Sequence, residues 1–160
     1  MDKIPTTTPA TIDHCKLIAP HLRSIDKEEA YAQGMMKPLD ALIYSMENSE
    51  ISNTIFLNDS DIPILLYGIT KQQHIFDRRR TVWLLGTNRI KEVKRQFIEQ
   101  SGQHLQKIAA GQTVFNYVMK GNRASLHWLK ILGFSIMEPE PHGWLNKPFH
   151  YVFKEVGKCA

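Results

Sequence analysis

The chain has 160 residues, of which 42% are apolar and 22% are charged, so it is long enough to bury one core and short for two domains. We therefore expect a single domain over residues 1–160, and a composition this ordinary argues against intrinsic disorder. The formal net charge of +4 suits a phosphate-bearing ligand, but it is low for a nucleic-acid-binding protein, which excludes nucleic acid as the leading partner.

Several sequence signals are missing. No apolar stretch follows a positively charged start, and no run of 18 apolar residues occurs, so we expect an intracellular, soluble protein with no membrane partner. Cys15 and Cys159 lie near opposite ends, outside any metal-ligand spacing, and are expected to be free thiols. The seven histidines show no HExxH or paired spacing, and no GxSxG is present, so neither a metal site nor a hydrolase nucleophile is predicted.

The first third of the chain is predicted to be helical. Residues 11–23 place Ile12, Cys15 and Ile18 at helical spacing until Pro20 ends or kinks the helix. A second helix is expected near Asp26, and a third opens at Pro38.

The remainder alternates between strands and helices. Strands are predicted over 54–57, 62–69, 81–85, 113–119, 134–137 and 150–156, and helices over 89–109 and 122–132. The first two strands form a hairpin, whereas the strands at 81–85 and 113–119 are joined by a long helix and should be parallel neighbours. This order predicts an α/β fold with a mixed sheet of about six to seven strands and helices on both faces. The default ligand cleft lies at the carboxyl ends of the two parallel strands.

One segment carries a family resemblance. Asn122 caps a predicted helix that ends in Gly133-Phe134, and this arrangement resembles the GNAT N-acetyltransferases. Three further segments are similar to a narrower group, the GNAT-like phage proteins related to internal virion protein A of short-tailed coliphages. These segments are 22–29, 82–87 and 114–118.

The resemblance implies an acetyl-CoA-binding protein that transfers an acetyl group to an amine of a host or phage target. It implies a place in the host cell cytoplasm, with virion association as a second possibility. It also implies that the cofactor contacts the loop after the strand at 81–85, with Asn122 beside the pantetheine arm. The expected cofactor-binding residues are Leu85, Gly86, Thr87, Asn88, Arg89, Lys94 and Asn122.

Two departures from the GNAT pattern favour an alternative. The loop that holds the pyrophosphate in this family is rich in glycine, whereas here it contains Gly86 alone. The family often has a proton-donating tyrosine seven residues after the asparagine, and this chain has Leu129 there. The alternative is a catalytically inactive GNAT-fold protein that acts in virion morphogenesis or inhibits a host protein.

Charge placement gives one hint that does not depend on the resemblance, and the resemblance implies a second, because the early helices form the acceptor wall in the GNAT fold. Arg89 and Lys94 lie in the first turns of the long predicted helix, where the helix dipole disfavours positive charge unless an anion binds there; the alternative is a solvated basic face. Glu28 and Glu29 are the candidate catalytic bases for the incoming ammonium, and their alternative role is to complement the dipole of the second helix. The sequence leaves both choices open, together with the oligomeric state.

Overall fold

The fold begins with an edge strand and three helices. The structure is a computed structural model that describes residues 3–158. Its first elements are β1 (Pro5–Pro9), α1 (Ile12–Ile18), a 3-10 turn (Ala19–His21), α2 (Ser24–Gly34) and α3 (Pro38–Glu47). Thr11 caps α1 by accepting the N–H of His14, and Pro20 sits in the 3-10 turn that ends this segment, as the sequence predicts.

The rest of the chain builds the sheet and its second helical layer. The strands are β2 (Ser49–Leu57), β3 (Leu65–Thr70), β4 (Arg79–Gly86), β5 (Thr113–Met119), β6 (Ser135–Ile136), β7 (Glu140–His142) and β8 (Lys147–Glu155). The helices of this part are a 3-10 helix (Asn88–Glu92), α4 (Lys94–Ile108) and α5 (Arg123–Ile131).

The strand order confirms the predicted α/β class and mixed sheet. The order is β1-β2-β3-β4-β5-β8-β6, and β7 pairs with β8. Only the β4–β5 pair is parallel in the described sheet, as the long crossover through α4 requires. The sheet has eight strands, more than predicted, because β1 and β7 are short proline-containing segments without apolar alternation.

The long helix predicted over 89–109 is interrupted. Thr87 accepts the N–H of Arg89 and starts a 3-10 helix instead of an α-helix. Val93, with φ −117° and ψ 7°, then separates that turn from α4, which begins at Lys94. The first turn of α4 therefore lies farther along the chain than the sequence suggested.

Helices cover both faces of the sheet. Leu65 and Tyr67 of β3 pack in the same cluster as Phe97 of α4 and Trp128 of α5. Leu66, between them, faces the opposite side and packs with Ile18 and Leu42 of the first helices, as strand alternation requires. Over residues 3–158, no helix has the length and apolarity needed to cross a membrane. Cys15 is buried and unpaired, and Cys159 lies outside the described residues.

Candidate active site

The two parallel strands separate along their length. β4 and β5 pair only from Arg79–Thr113 to Thr81–Phe115. Beyond this point β4 continues to pair with β3, and β5 continues to pair with β8. A gap therefore opens towards the carboxyl ends of β4 and β5, where the sequence placed the ligand cleft.

A cavity lies on each side of this gap. The α4-side cavity has a volume of about 80 Å³ and is walled by α4 and α5, whereas the α2-side cavity has a volume of about 500 Å³ and is walled by α2 and α3. The same four residues line both cavities: Glu29, Trp83, Leu84 and Asn116. A molecule bound on one side of the sheet can therefore meet a molecule bound on the other side.

Side chains form hydrogen bonds with the backbone N–H and C=O groups of β5 along the edge that faces the gap. The N–H of Met119 donates to Glu29 Oε1 over 2.9 Å, and the carbonyl of Tyr117 accepts from Gln33 Nε2 over 3.1 Å. The N–H of Tyr117 donates to Asn116 Oδ1 over 2.7 Å. Two residues of α2 thus take the place of the missing neighbouring strand.

The edge of β4 offers one amide to the gap. Thr87 donates its N–H to the carbonyl of Ile64 over 2.9 Å, on the β3 side, and successive N–H groups of a strand alternate in direction. The N–H of Leu85 therefore points towards β3. The N–H of Gly86 points towards the gap, but it donates to Asp26 Oδ2 over 3.0 Å. Along this edge of β4, the N–H of Leu84 therefore faces the gap.

The structure separates the two candidate carboxylates. Glu28 is exposed on the surface of α2 and lines neither cavity, which favours the dipole role that the sequence left open. Glu29 is partly buried at the gap, and its Oε1 accepts both the Met119 N–H and Asn122 Nδ2, the latter over 2.8 Å. Burial raises the pKa of Glu29 to about 7. Glu29 is therefore a carboxylate that both gains and loses a proton near neutral pH.

Asn122 acts on Glu29 and on α5. Its Nδ2 donates to Glu29, and its Oδ1 accepts the N–H of Ser125 over 3.3 Å, which caps α5 as predicted. Asn122 is buried and lines neither cavity. Asn122 therefore contacts Glu29, and Glu29 in turn lines the two cavities at the gap.

A buried ion pair fixes the start of α2. Arg23 donates through Nε and through a terminal nitrogen to both oxygens of Asp26, over 2.9 and 2.8 Å. The guanidinium also contacts Ser125 Oγ at 3.3 Å and lies 5.7 Å from the ring centre of Trp128. The sequence singled out Asp26 only as a helix start, since no local pattern shows that it reaches β4.

The residues of the expected pyrophosphate loop have other partners. Arg89 pairs with Asp59 at 2.8 Å and with Glu92 at 2.6 Å, and Lys3 also contacts Glu92. Thr87 is buried, and Asn88 is exposed at the start of the 3-10 helix. Lys94 begins α4, whose N-cap residue Val93 provides no side-chain acceptor. The first turn of α4 is thus better placed to bind an anion than residues 85–89.

Carboxylates also neutralise much of the neighbouring basic sequence. Arg80 is buried and lies 2.7 Å from Glu50, while Arg79 lies 3.7 Å from Asp77 and Arg95 3.3 Å from Glu99. This pairing reduces the positive charge that is available for a nucleic-acid contact.

Among residues 3–158, Glu29 is the one aspartate, glutamate, lysine or arginine that lines the α4-side cavity. Tyr67 and His104 contact each other at 3.3 Å; burial raises the pKa of Tyr67 to about 12 and lowers that of His104 from its ordinary 6.5. Both are therefore neutral at pH 7. Leu129 also lines this cavity, where it provides an apolar wall and no proton.

The comparisons identify the fold. No protein-family model and no curated protein sequence matches the chain. Among solved structures, the chain is similar to a GNAT-family acetyltransferase from Streptococcus pneumoniae, with a TM-score of 0.67 and 15% identity over 96% of this chain and 100% of that one. It is also similar to a putative acetyltransferase from Salmonella typhimurium solved with acetyl-CoA, with a TM-score of 0.68 and 11% identity over 98% and 96% of the two chains.

A third similar structure contains two ligands. It is a spermidine N-acetyltransferase from Vibrio cholerae in complex with CoA and spermine, with a TM-score of 0.66 and 11% identity over 94% of this chain and 95% of that one. At these identities the likeness defines the fold alone. The chain has the GNAT acetyltransferase fold, as the resemblance of its Asn122 segment implied.

Proposed function

We propose that this protein is an acetyl-CoA-dependent N-acetyltransferase whose catalytic base is Glu29. The observation that carries the proposal is the position of this carboxylate. Glu29 borders both cavities at the gap between β4 and β5, and its pKa is raised to about 7. A carboxylate with this pKa is a more effective base at neutral pH than an exposed glutamate.

The chain offers three features that fit acetyl-CoA. The α4-side cavity is narrow and mainly apolar, which suits an extended thioester arm. The N–H of Leu84 faces the gap as a donor for the acetyl carbonyl. The first turn of α4, with Lys94, provides main-chain donors and a positive charge for the pyrophosphate. Gly86 is the single glycine of the preceding loop, so the proposed anion site depends on α4 itself.

The chemistry divides among these residues. Acetyl-CoA supplies an acetyl group activated as a thioester. Glu29 removes the proton from the acceptor ammonium, so that the amine nitrogen forms its bond to the acetyl carbonyl carbon. The Leu84 N–H stabilises the negative charge that develops on the carbonyl oxygen. The carbon–sulfur bond then breaks with its electron pair on sulfur, and the nitrogen releases its second proton to solvent, so that the products are the amide, the CoA thiol and one proton.

Leu129 cannot donate a proton, and the proposed mechanism does not need a proton donor at this position. A thiol has a pKa of about 8.5, so its thiolate is a far better leaving group than an amine anion and needs less help from an acid. The proton taken by Glu29 is available to the departing sulfur, because this carboxylate borders both cavities. One group can thus act first as base and then as acid.

The biological setting belongs to the proposal as well. The segments at 22–29, 82–87 and 114–118 resemble GNAT-like phage proteins, which supports an acceptor amine of the infected host or of the phage. The host cell cytoplasm is the corresponding location, with virion association as the second one.

Leu129 and the single glycine of the loop also support a second candidate function. In that case the GNAT fold serves as an inactive scaffold in virion morphogenesis or as an inhibitor of a host protein. The two candidates differ in whether the gap binds the cofactor.

Isothermal titration calorimetry with acetyl-CoA, beside a dephospho-CoA control, tests the proposal. Saturable micromolar binding, followed by amine-dependent release of free CoA thiol, is the expected result. No heat and no thermal stabilisation at millimolar acetyl-CoA would contradict the transferase and favour the scaffold.

A further inference from the structure

We infer that the acceptor bound in the α2-side cavity is a primary amine carried by an aromatic or similarly flat apolar group, with no carboxylate beside the amine. Its acetylation rests on the proposed function, whereas its binding does not. The inference comes from the walls of this cavity, which differ from those of the α4-side cavity in size, shape and charge.

Four aromatic side chains line this cavity, together with a larger number of polar side chains. The aromatic residues are Tyr44, Trp83, Phe115 and Tyr117. The cavity volume of about 500 Å³ falls within the range of small-molecule sites. Flat rings on several sides favour a flat apolar group over a long flexible chain.

Contacts with neighbouring side chains hold two of these rings in place. Trp83 Nε1 donates to Ser49 Oγ over 2.8 Å. Tyr117 stacks on His142, with ring centres 3.6 Å apart and planes 7° from parallel. The wall is therefore formed before a ligand arrives, which lowers the entropic cost of binding.

The electrostatics favour a cation at the inner end. Glu29 lies there, and Gln33 near the end of α2 and Asn48 at the end of α3 also line the cavity. The carboxyl ends of helices carry partial negative charge, and aromatic faces attract ammonium groups. An ammonium beside Glu29 would therefore meet a carboxylate, in a cavity whose other walls include residues from the carboxyl ends of two helices and aromatic rings.

The same walls argue against acceptors with further charges. Among the described residues that line this cavity, Arg79 is the one lysine or arginine, and it is already 3.7 Å from Asp77 and 5.7 Å from the ring centre of Phe115. An amino acid acceptor would need a free cation for its carboxylate. A polyamine would need further free carboxylates, but Asp77 at the rim is already paired with Arg79.

Calorimetry with a panel of amines tests the inference. Phenethylamine and tryptamine are titrated into the protein with and without CoA, beside phenylalanine, spermidine and a short peptide with a free amino terminus. We expect the two arylalkylamines to bind at least tenfold more tightly than the other three. Acetyl-CoA binding is measured separately, so that the cofactor and the acceptor are judged independently.

Four variants locate the binding site. Tyr44→Ala and Phe115→Leu should weaken arylalkylamine binding at least fivefold, and Tyr44, which is 59% exposed, can be truncated without disturbing the core. Tyr31→Ala is the matched control, because Tyr31 is 50% exposed on α2 and lies outside the cavity. Arg79→Gln tests whether phenylalanine uses Arg79 as the cation for its carboxylate.

The outcomes separate the two claims. Arylalkylamine binding without acetyl-CoA binding would support the acceptor class and overturn the proposed function. Tighter binding of phenylalanine that is lost in Arg79→Gln, or tighter binding of spermidine, would overturn the acceptor class and leave acetyl transfer standing. Failure of every amine to bind the folded protein would also overturn the acceptor class.

Discussion

The two cavities that meet at the gap differ in volume and in the residues that line them. The α4-side cavity is narrow, and its polar groups Tyr67 and His104 are neutral and contact each other. The α2-side cavity is about six times larger by volume and combines aromatic walls with charged groups at its rim. Glu29 belongs to both.

In the proposed transferase, this contrast assigns proton transfer to α2. The helix that contributes Leu129 contributes no acid or base to the gap, whereas α2 contributes Glu29. α2 also contributes Asp26, which fixes Gly86, and Gln33, which fixes Tyr117.

Removal of the Glu29 charge should produce the largest effect. Glu29→Gln should lower kcat for acetyl transfer by about 10²- to 10⁴-fold, because a general base typically contributes that factor. Calorimetry should show acetyl-CoA affinity unchanged within about twofold. Glu28→Gln is the matched control, since the neighbouring side chain is exposed outside both cavities, and its kcat should stay unchanged. Equal losses in the two variants would refute the assignment of the base to Glu29.

The pH dependence should follow the same carboxylate. The rate should rise with pH and level off above an apparent pKa of about 7, because Glu29 must be deprotonated to act as a base. A pH–rate profile of kcat/KM measures this midpoint. A rate that falls with rising pH through neutrality would contradict the role of Glu29.

The free energy of unfolding should fall as pH rises, whereas the rate of acetyl transfer should rise. The pKa of Glu29 is higher in the folded protein, about 7, than its ordinary 4.5, so the folded state binds more protons between these values. The free energy of unfolding should therefore decrease as pH rises from about 4.5 to 7, by roughly 3 kcal/mol. Urea denaturation of the wild type and of Glu29→Gln at pH 5 and pH 8 should show a smaller decrease in the variant. A decrease of the same size in both proteins would count against a raised pKa.

Asn122 offers a test of how Glu29 is held. Asn122→Ala removes the cap of α5 and should lower stability by about 1 kcal/mol. It also removes a hydrogen bond that stabilises the charged carboxylate, so the midpoint of the pH–rate profile should move upward. Asn122→Asp keeps the capping oxygen but loses the donor, and should shift the midpoint without the loss of the cap. An unchanged midpoint in both variants would place Asn122 outside the catalytic unit.

The smallest predicted effect distinguishes two positions of the pyrophosphate. Lys94→Ala should weaken acetyl-CoA binding about three- to tenfold, whereas Arg89→Ala should weaken it less than twofold, because Arg89 is paired with Asp59 and Glu92. Arg95→Ala is the control, since Arg95 is exposed and pairs with Glu99. Calorimetry that finds Arg89 more important than Lys94 would restore the loop position expected from the sequence.

The fold was largely predictable because its signals are local. The apolar periodicity and the residues Thr11, Pro38, Asn122 and Gly133 specify helix starts and ends that the structure reproduces. β1 escaped prediction because its Pro-Thr-Thr-Thr-Pro sequence becomes a strand only through pairing with β2. The break at Val93 also escaped, because the basic and apolar spacing continues through it.

The candidate site was predictable only in part. The cleft position follows from topology, but the direction in which each amide of β4 points depends on its register with β3, which a single sequence does not reveal. The exposure of Glu28 and the burial of Glu29 depend on how α2 rotates against β5. The contact between Asp26 and Gly86 joins residues 60 positions apart in the chain.

The most direct test of the central claim follows two neighbouring amides of β4. Acetyl-CoA is titrated into ¹⁵N-labelled protein, and hydrogen exchange is measured at the N–H groups of Leu84 and Leu85. Binding at the gap should shift the Leu84 resonance and slow its exchange, while Leu85, which faces β3, should change little. An unchanged Leu84 amide in the acetyl-CoA-saturated protein, or no binding at all, would contradict a cofactor site between β4 and β5.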